Sequence, residues 1–146
     1  MAPDSNRCTD MRLEYDVAAG DFTRAGYASS AIKKTLKQLG VSPAVVKRVV
    51  VAVYEAEVNI VAHSYGGRIT ADIGPDGITV VLADTGPGIP DVEKAMQKGF
   101  STASKEVREM GFGAGMGLPN IKENADDLQI DTGAGRGTTL RIFIKF

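Results

Sequence analysis

The chain has little that could staple or anchor it. It contains one cysteine, Cys8, so no internal disulfide can form. A single cysteine and a single histidine, His63, cannot complete the tetrahedral ligand set of a structural zinc site. No apolar run approaches a membrane span. The longest, residues 49–53, is far short of the roughly 20 residues a spanning helix needs. The opening MAPDSNRCTD carries no apolar core of a secretory signal, so a cytoplasmic protein is expected. The formal net charge is −1, which supplies no global attraction to nucleic acid. Neither an internal repeat nor a linker interrupts the pattern.

What is present suits one domain with a single core. The chain has 146 residues, 43% of them hydrophobic, enough to exclude a disordered segment. Residues 1–10 read as a flexible tail and 11–146 as the domain. Residues 11–18 alternate Leu13, Tyr15 and Val17 against Arg12, Glu14 and Asp16, the period of a half-buried strand. Over 21–39, Phe22, Ala25, Ala28, Ile32, Leu36 and Leu39 recur at helical spacing. Gly40 ends that helix. Ser42 and Pro43 supply a cap and a first-turn proline for a second, largely apolar helix reaching about residue 63. Two strands, 68–73 and 78–83, flank Gly74-Pro75-Asp76-Gly77, a hairpin turn. A loop over 84–90, a short helix over 92–98 and a polar segment over 101–110 follow. Residues 118–124 read as helix, and 128–131 with 138–144 as a final hairpin. This order predicts an α+β two-layer sandwich, its mixed, mostly antiparallel sheet carrying helices on one face.

Three stretches could carry chemistry. In YEAEVNIVAHS, Glu55, Asn59 and His63 are four apart and share a helical face, while Glu57 points roughly the opposite way. That row is either a solvated stripe or capping network, or a site with Glu55 as general base and the Asn59 carbonyl as a hard oxygen donor. Asp84-Thr85-Gly86-Pro87-Gly88 follows an apolar strand. It is either simply a good turn, or a site in which the aspartate offers an acceptor to an exocyclic amine and the two glycines let a flat ring come close. Finally, GFGAGMGLPN places Gly111, Gly113, Gly115 and Gly117 before a helix start, where free N–H groups favour phosphates. It has neither the Gly-Lys-Ser/Thr ending of a Walker loop nor a βαβ setting.

Together and in this order, the three stretches resemble the GHKL (Bergerat-fold) superfamily, which includes gyrase, the heat-shock chaperone, histidine kinases and mismatch-repair ATPases. Glu55 and Asn59 match its N box, Asp84-x-Gly86-x-Gly88 its first glycine box, and Gly113-x-Gly115-x-Gly117 its second. Gly137 with Thr138-Thr139 matches its G-T-T strand. DTGPGIPDVEKAMQKGFSTAS and GFGAGMGLPNIKE are most similar to small serine kinases of bacterial partner-switching modules, the anti-sigma factors and stress-signalling switch kinases. The resemblance covers roughly 11–146 and brings no second catalytic domain.

The resemblance implies ATP and Mg2+ as ligands. Asp84 would bond the adenine amino group, Thr139 would help through water, and Ile89 and Met116 would line the pocket. Asn59 would hold magnesium, and Glu55 would accept the proton of the attacking serine. Gly86, Gly88, Gly111, Gly113, Ala114, Gly115, Gly117 and Leu118 would wrap the nucleotide, and Lys105 or Arg108 would meet the γ-phosphate. His63 reads as a packing or orienting residue. The implied partner is a STAS-type anti-anti-sigma protein. A sigma factor, a phosphatase and a second copy are further partners of such proteins, and a nucleotide-gated binder with little turnover is the alternative function. No membrane or direct nucleic-acid contact is implied.

Overall fold

The computed structural model describes residues 11–86, 117–133 and 137–146. In chain order these form β1 (Met11–Val17), a 3-10 turn (Phe22–Arg24), α1 (Tyr27–Gln38), α2 (Pro43–His63), β2 (Gly67–Ile73), β3 (Gly77–Asp84), α3 (Gly117–Asn124), β4 (Asp127–Gly133) and β5 (Gly137–Lys145). The five strands make one sheet in the order β1-β2-β3-β5-β4, and all four described pairings are antiparallel. The expected short helix at 92–98 lies outside the described residues.

The sheet's two faces follow from the period of the strand. Ile69, Ala71 and Ile73 of β2, Ile78, Val80 and Leu82 of β3, and Leu140, Ile142 and Ile144 of β5 are all buried under the helices. Each large aliphatic side chain so buried contributes about 1.5–3 kcal/mol over its exposed state. The alternate positions carry polar groups, among them the ion pairs Arg12–Asp72 at 2.6 Å and Arg68–Glu14.

α2 runs across the centre of the helical layer. Val46, Val49, Val53, Ala56 and Ile60 face the core. The expected cap is in place: the Ser42 hydroxyl accepts the Val45 N–H at 3.4 Å, and Pro43 opens the helix.

The first helix departs from expectation. The spacing predicts helix from residue 21, but α1 begins only at Tyr27. Ala25 is extended and Gly26 takes a left-handed φ of 95°, which breaks the 3-10 turn from the helix. Gly26 also lies under the ring of Tyr54, where a Cβ would sit 3.1 Å from a ring carbon. Gly26 offers no side-chain cap, so the first amides of α1 need a partner from elsewhere. Glu57 provides it. Its carboxylate, 2% exposed, accepts the N–H groups of Ala28 at 3.1 Å and Ser29 at 3.2 Å. The positive end of the α1 dipole offsets the buried charge.

Candidate active site

Glu55 and Asn59 lie one turn apart on α2 and face α3. The two helices run antiparallel and meet in three rungs. At the first, Gly117 opens α3 against Asn59; a Cβ there would stand 3.2 Å from both the amide oxygen and nitrogen. At the second, Asn120 Nδ2 donates to Glu55 Oε2 at 3.3 Å. At the third, Arg48 Nε donates to the Asn124 carbonyl at 3.1 Å and a terminal guanidinium nitrogen meets Asp126 at 3.2 Å. Asp126 also accepts the Lys145 N–H at 2.6 Å, tying this end to β5. Those bonds hold the Asp126 carboxyl below the usual range, the Lys145 N–H being the main cause and Arg48 the next. Arg48 and Asn120 carried no signal in the sequence, because a cross-helix rung has no spacing of its own.

Asp84 forms a second cluster at the end of β3. Its alternation with Leu82 turns it to the helical face of the sheet. There it pairs with Thr138, whose N–H donates to Asp84 Oδ1 at 3.1 Å. Burial raises the Asp84 carboxyl above its ordinary value, and the Thr138 N–H partly opposes this. Among the described residues only this carboxylate oxygen takes a hydrogen bond. Gly137 has a left-handed φ of 79°, and a Cβ on it would collide with the Asp84 carbonyl oxygen. Gly86 is buried against Ser64 at the end of α2. Thr85 N–H donates to the Gly66 carbonyl at 2.9 Å and Tyr65 N–H to the Thr85 carbonyl at 2.8 Å. These bonds fasten the start of the Asp84 loop to the turn that follows the helix carrying Glu55 and Asn59.

Thr139, the threonine expected near adenine, is registered opposite Ala83 on the other face of β5. Thr138 is the threonine beside Asp84. It is 8% exposed, and its hydroxyl bonds that of Thr132 at 2.9 Å. Adjacent threonines sit on opposite faces of a strand, so the choice turned on a register the sequence alone did not fix. Leu118 is buried in the hydrophobic core, where it seats α3. His63 is half-buried, and burial lowers its imidazole pKa below the ordinary value. Gly88, Ile89, Lys105, Arg108, Gly111, Gly113, Ala114, Gly115 and Met116 lie outside the described residues.

The arrangement fits a magnesium nucleotide. Asn59 offers one hard oxygen donor beside a side-chain-free helix start, and Asp84 offers a shielded acceptor for an amine. Among the described residues no cluster of three His, Cys, Asp or Glu could hold a metal by itself. Magnesium commonly takes only one or two protein ligands, with substrate phosphates and waters completing the octahedron, which suits this donor set.

Residues 19–144 match the family of histidine kinase-like ATPase domains, and the chain belongs to that family. Among curated proteins it is 31% identical over 138 residues to the serine/threonine-protein kinase RsbT of Bacillus subtilis, covering 92% of each chain. It is 38% identical over 96 residues to an anti-sigma F factor of a Thermoanaerobacter species, covering 62% of this chain and 64% of the relative. Two solved structures share the fold. The RsbU and RsbW domains of a Mycobacterium tuberculosis protein superpose with a TM-score of 0.61 at 18% identity, over 93% of this chain and 33% of that one. The SiaB–SiaC complex of Pseudomonas aeruginosa gives 0.60 at 14% identity, over 96% and 92%. No helix among the described residues is long and apolar enough to cross a membrane.

Proposed function

We propose that this chain is an ATP-dependent protein serine kinase of a partner-switching module. Its acceptor is a serine on a STAS-type anti-anti-sigma protein. The observation that carries the reading is the meeting of Glu55 and Asn59 with the first turn of α3. A base, a metal donor and a phosphate-facing helix start then share one corner. The names of the relatives, a serine/threonine kinase and anti-sigma factors, support the same class of reaction.

In this reading Asp84 binds the adenine amine through Oδ2, the oxygen not bonded to Thr138, and Thr138 takes the role first expected of Thr139. Asn59 holds Mg2+, which when bound neutralises charge between the phosphates. Glu55 accepts the proton of the serine hydroxyl as its oxygen bonds the γ-phosphorus and the bond to ADP breaks. Gly86, Gly88, Ile89, the glycines from 111 to 117, Ala114 and Met116 enclose the nucleotide. Lys105 or Arg108 meets the γ-phosphate.

The second reading is a nucleotide-gated binder that sequesters a sigma factor or activates a phosphatase with little turnover. Glu55 favours the kinase, since a binder has no use for a base. Incubation with γ-labelled ATP, magnesium and a panel of purified STAS-domain proteins from the same cell separates the two. Label on a serine of one of them is the expected result. Nucleotide-dependent complex formation without label on any of them would favour the binder.

A further inference from the structure

Asn120 is the fourth residue of α3, and its side chain reaches the proposed base. Its amide nitrogen donates to Glu55 Oε2 at 3.3 Å, both groups being partly buried. An ionised carboxylate only accepts, so the nitrogen, not the oxygen, of Asn120 must face it. Asn120 is itself held. Its carbonyl accepts the Asn124 side chain at 2.8 Å, and its neighbours Pro119 and Ile121 are buried. The Arg48 bond to the Asn124 carbonyl fixes the far end of the same helix. A glutamate on a helix surface otherwise samples several rotamers, and ordering such a side chain costs conformational entropy. Here Oε2 is pinned, and among the described residues Oε1 takes no hydrogen bond, so it is the oxygen offered to a hydroxyl.

We infer that Asn120 is a positioning residue of the phosphoryl transfer, holding Glu55 by Oε2 so that Oε1 takes the acceptor proton. The inference rests on the reading of Glu55 as the base. It adds a coupling: one turn of helix touches Asn59 at Gly117 and Glu55 at Asn120. The seating of the phosphates and the aim of the base are therefore set by the same rigid element.

The test is a double-mutant cycle between Glu55→Gln and Asn120→Ala. It is read as single-turnover transfer of label from Mg-ATP to the STAS-domain acceptor labelled in the panel assay. ATP affinity is measured in parallel by calorimetry. Asn120→Ala is expected to slow transfer by about 10-fold or more, the scale of a misaimed catalytic group, with ATP affinity unchanged. In the Glu55→Gln background it is expected to have no further effect, because its only route to the rate is gone. Asn120→Asp keeps the shape but replaces the donor with a like charge, so it is expected to fold normally and transfer more slowly still. Equal slowing by Asn120→Ala in both backgrounds would overturn the positioning role. So would a wild-type rate in Asn120→Asp. If Asn120→Ala transfers normally while Glu55→Gln is slow, the positioning role alone fails and the base stands. If Glu55→Gln is itself unimpaired, the reading of the base fails, and the inference with it.

Discussion

Asp84 keeps a carboxylate where burial disfavours its charge, with a single backbone N–H in opposition. A carboxyl raised in the folded state contributes stability below its unfolded pKa, near the ordinary value of 3.8, and loses it as pH rises through the folded value. At neutral pH the unliganded protein therefore carries Asp84 at a cost. Asp84→Asn removes that charge and retains an oxygen for the Thr138 N–H. It is expected to unfold at the same or a higher temperature than wild type at pH 7, with the difference vanishing below about pH 3.8. ATP binding is expected to weaken by about 1.5–3 kcal/mol, the range for hydrogen bonds to charged groups. A lower melting temperature at pH 7, or equal ATP affinity in calorimetry, would contradict this account of the residue. Glu57 is a buried carboxylate that accepts two backbone N–H groups. Glu57→Gln loses one of two acceptors for the α1 amides and is expected to cost about 1–2 kcal/mol in denaturant unfolding. Its turnover per folded molecule is expected to be unchanged. A lost rate at full stability would place Glu57 in the chemistry.

At the scale of elements, what was legible followed from local rules. The strand alternation, the Ser42-Pro43 start and the Gly74–Gly77 turn each act over a few residues, and each appears where expected. The common face of Glu55 and Asn59, and the opposite aim of Glu57, were also fixed by helical geometry alone. What was not legible depends on partners distant in sequence. Nothing near Glu57 says that it caps a helix starting 30 residues earlier, as its distance from Tyr27 has it. Helical spacing ran through Gly26 because periodicity does not register a left-handed φ. The choice between Thr138 and Thr139 needed the register of β5 against β3. Gly137 marks that junction. Gly137→Ala places a Cβ against the Asp84 carbonyl at a left-handed backbone. The conformation alone costs about 1–2 kcal/mol, and the contact adds to it. Lower stability together with weaker ATP binding is expected, since the strand end carrying Asp84 must shift. Wild-type values of both would show that the junction does not set the pocket.

For the whole molecule, a five-stranded sheet supports one long helix, and that helix presents Glu55 and Asn59, the proposed base and metal donor, to the short α3. The Asp84 cluster is tied to the turn after that helix through the hydrogen bonds of Thr85 with Tyr65 and Gly66. In the proposed reading, nucleotide recognition and base positioning share one scaffold, α2 and the turn that follows it. In the proposed function this scaffold transfers phosphate with Glu55 as the base. The direct test compares Glu55→Gln and Glu57→Gln in transfer of label from Mg-ATP to the STAS-domain acceptor. The two changes are chemically identical and two residues apart on α2, but they face opposite sides. Glu55→Gln is expected to bind Mg-ATP normally and transfer about 10²–10⁴-fold more slowly, the usual worth of a general base, while Glu57→Gln transfers at the wild-type rate. Equal rates in the two variants would contradict a general-base role for Glu55.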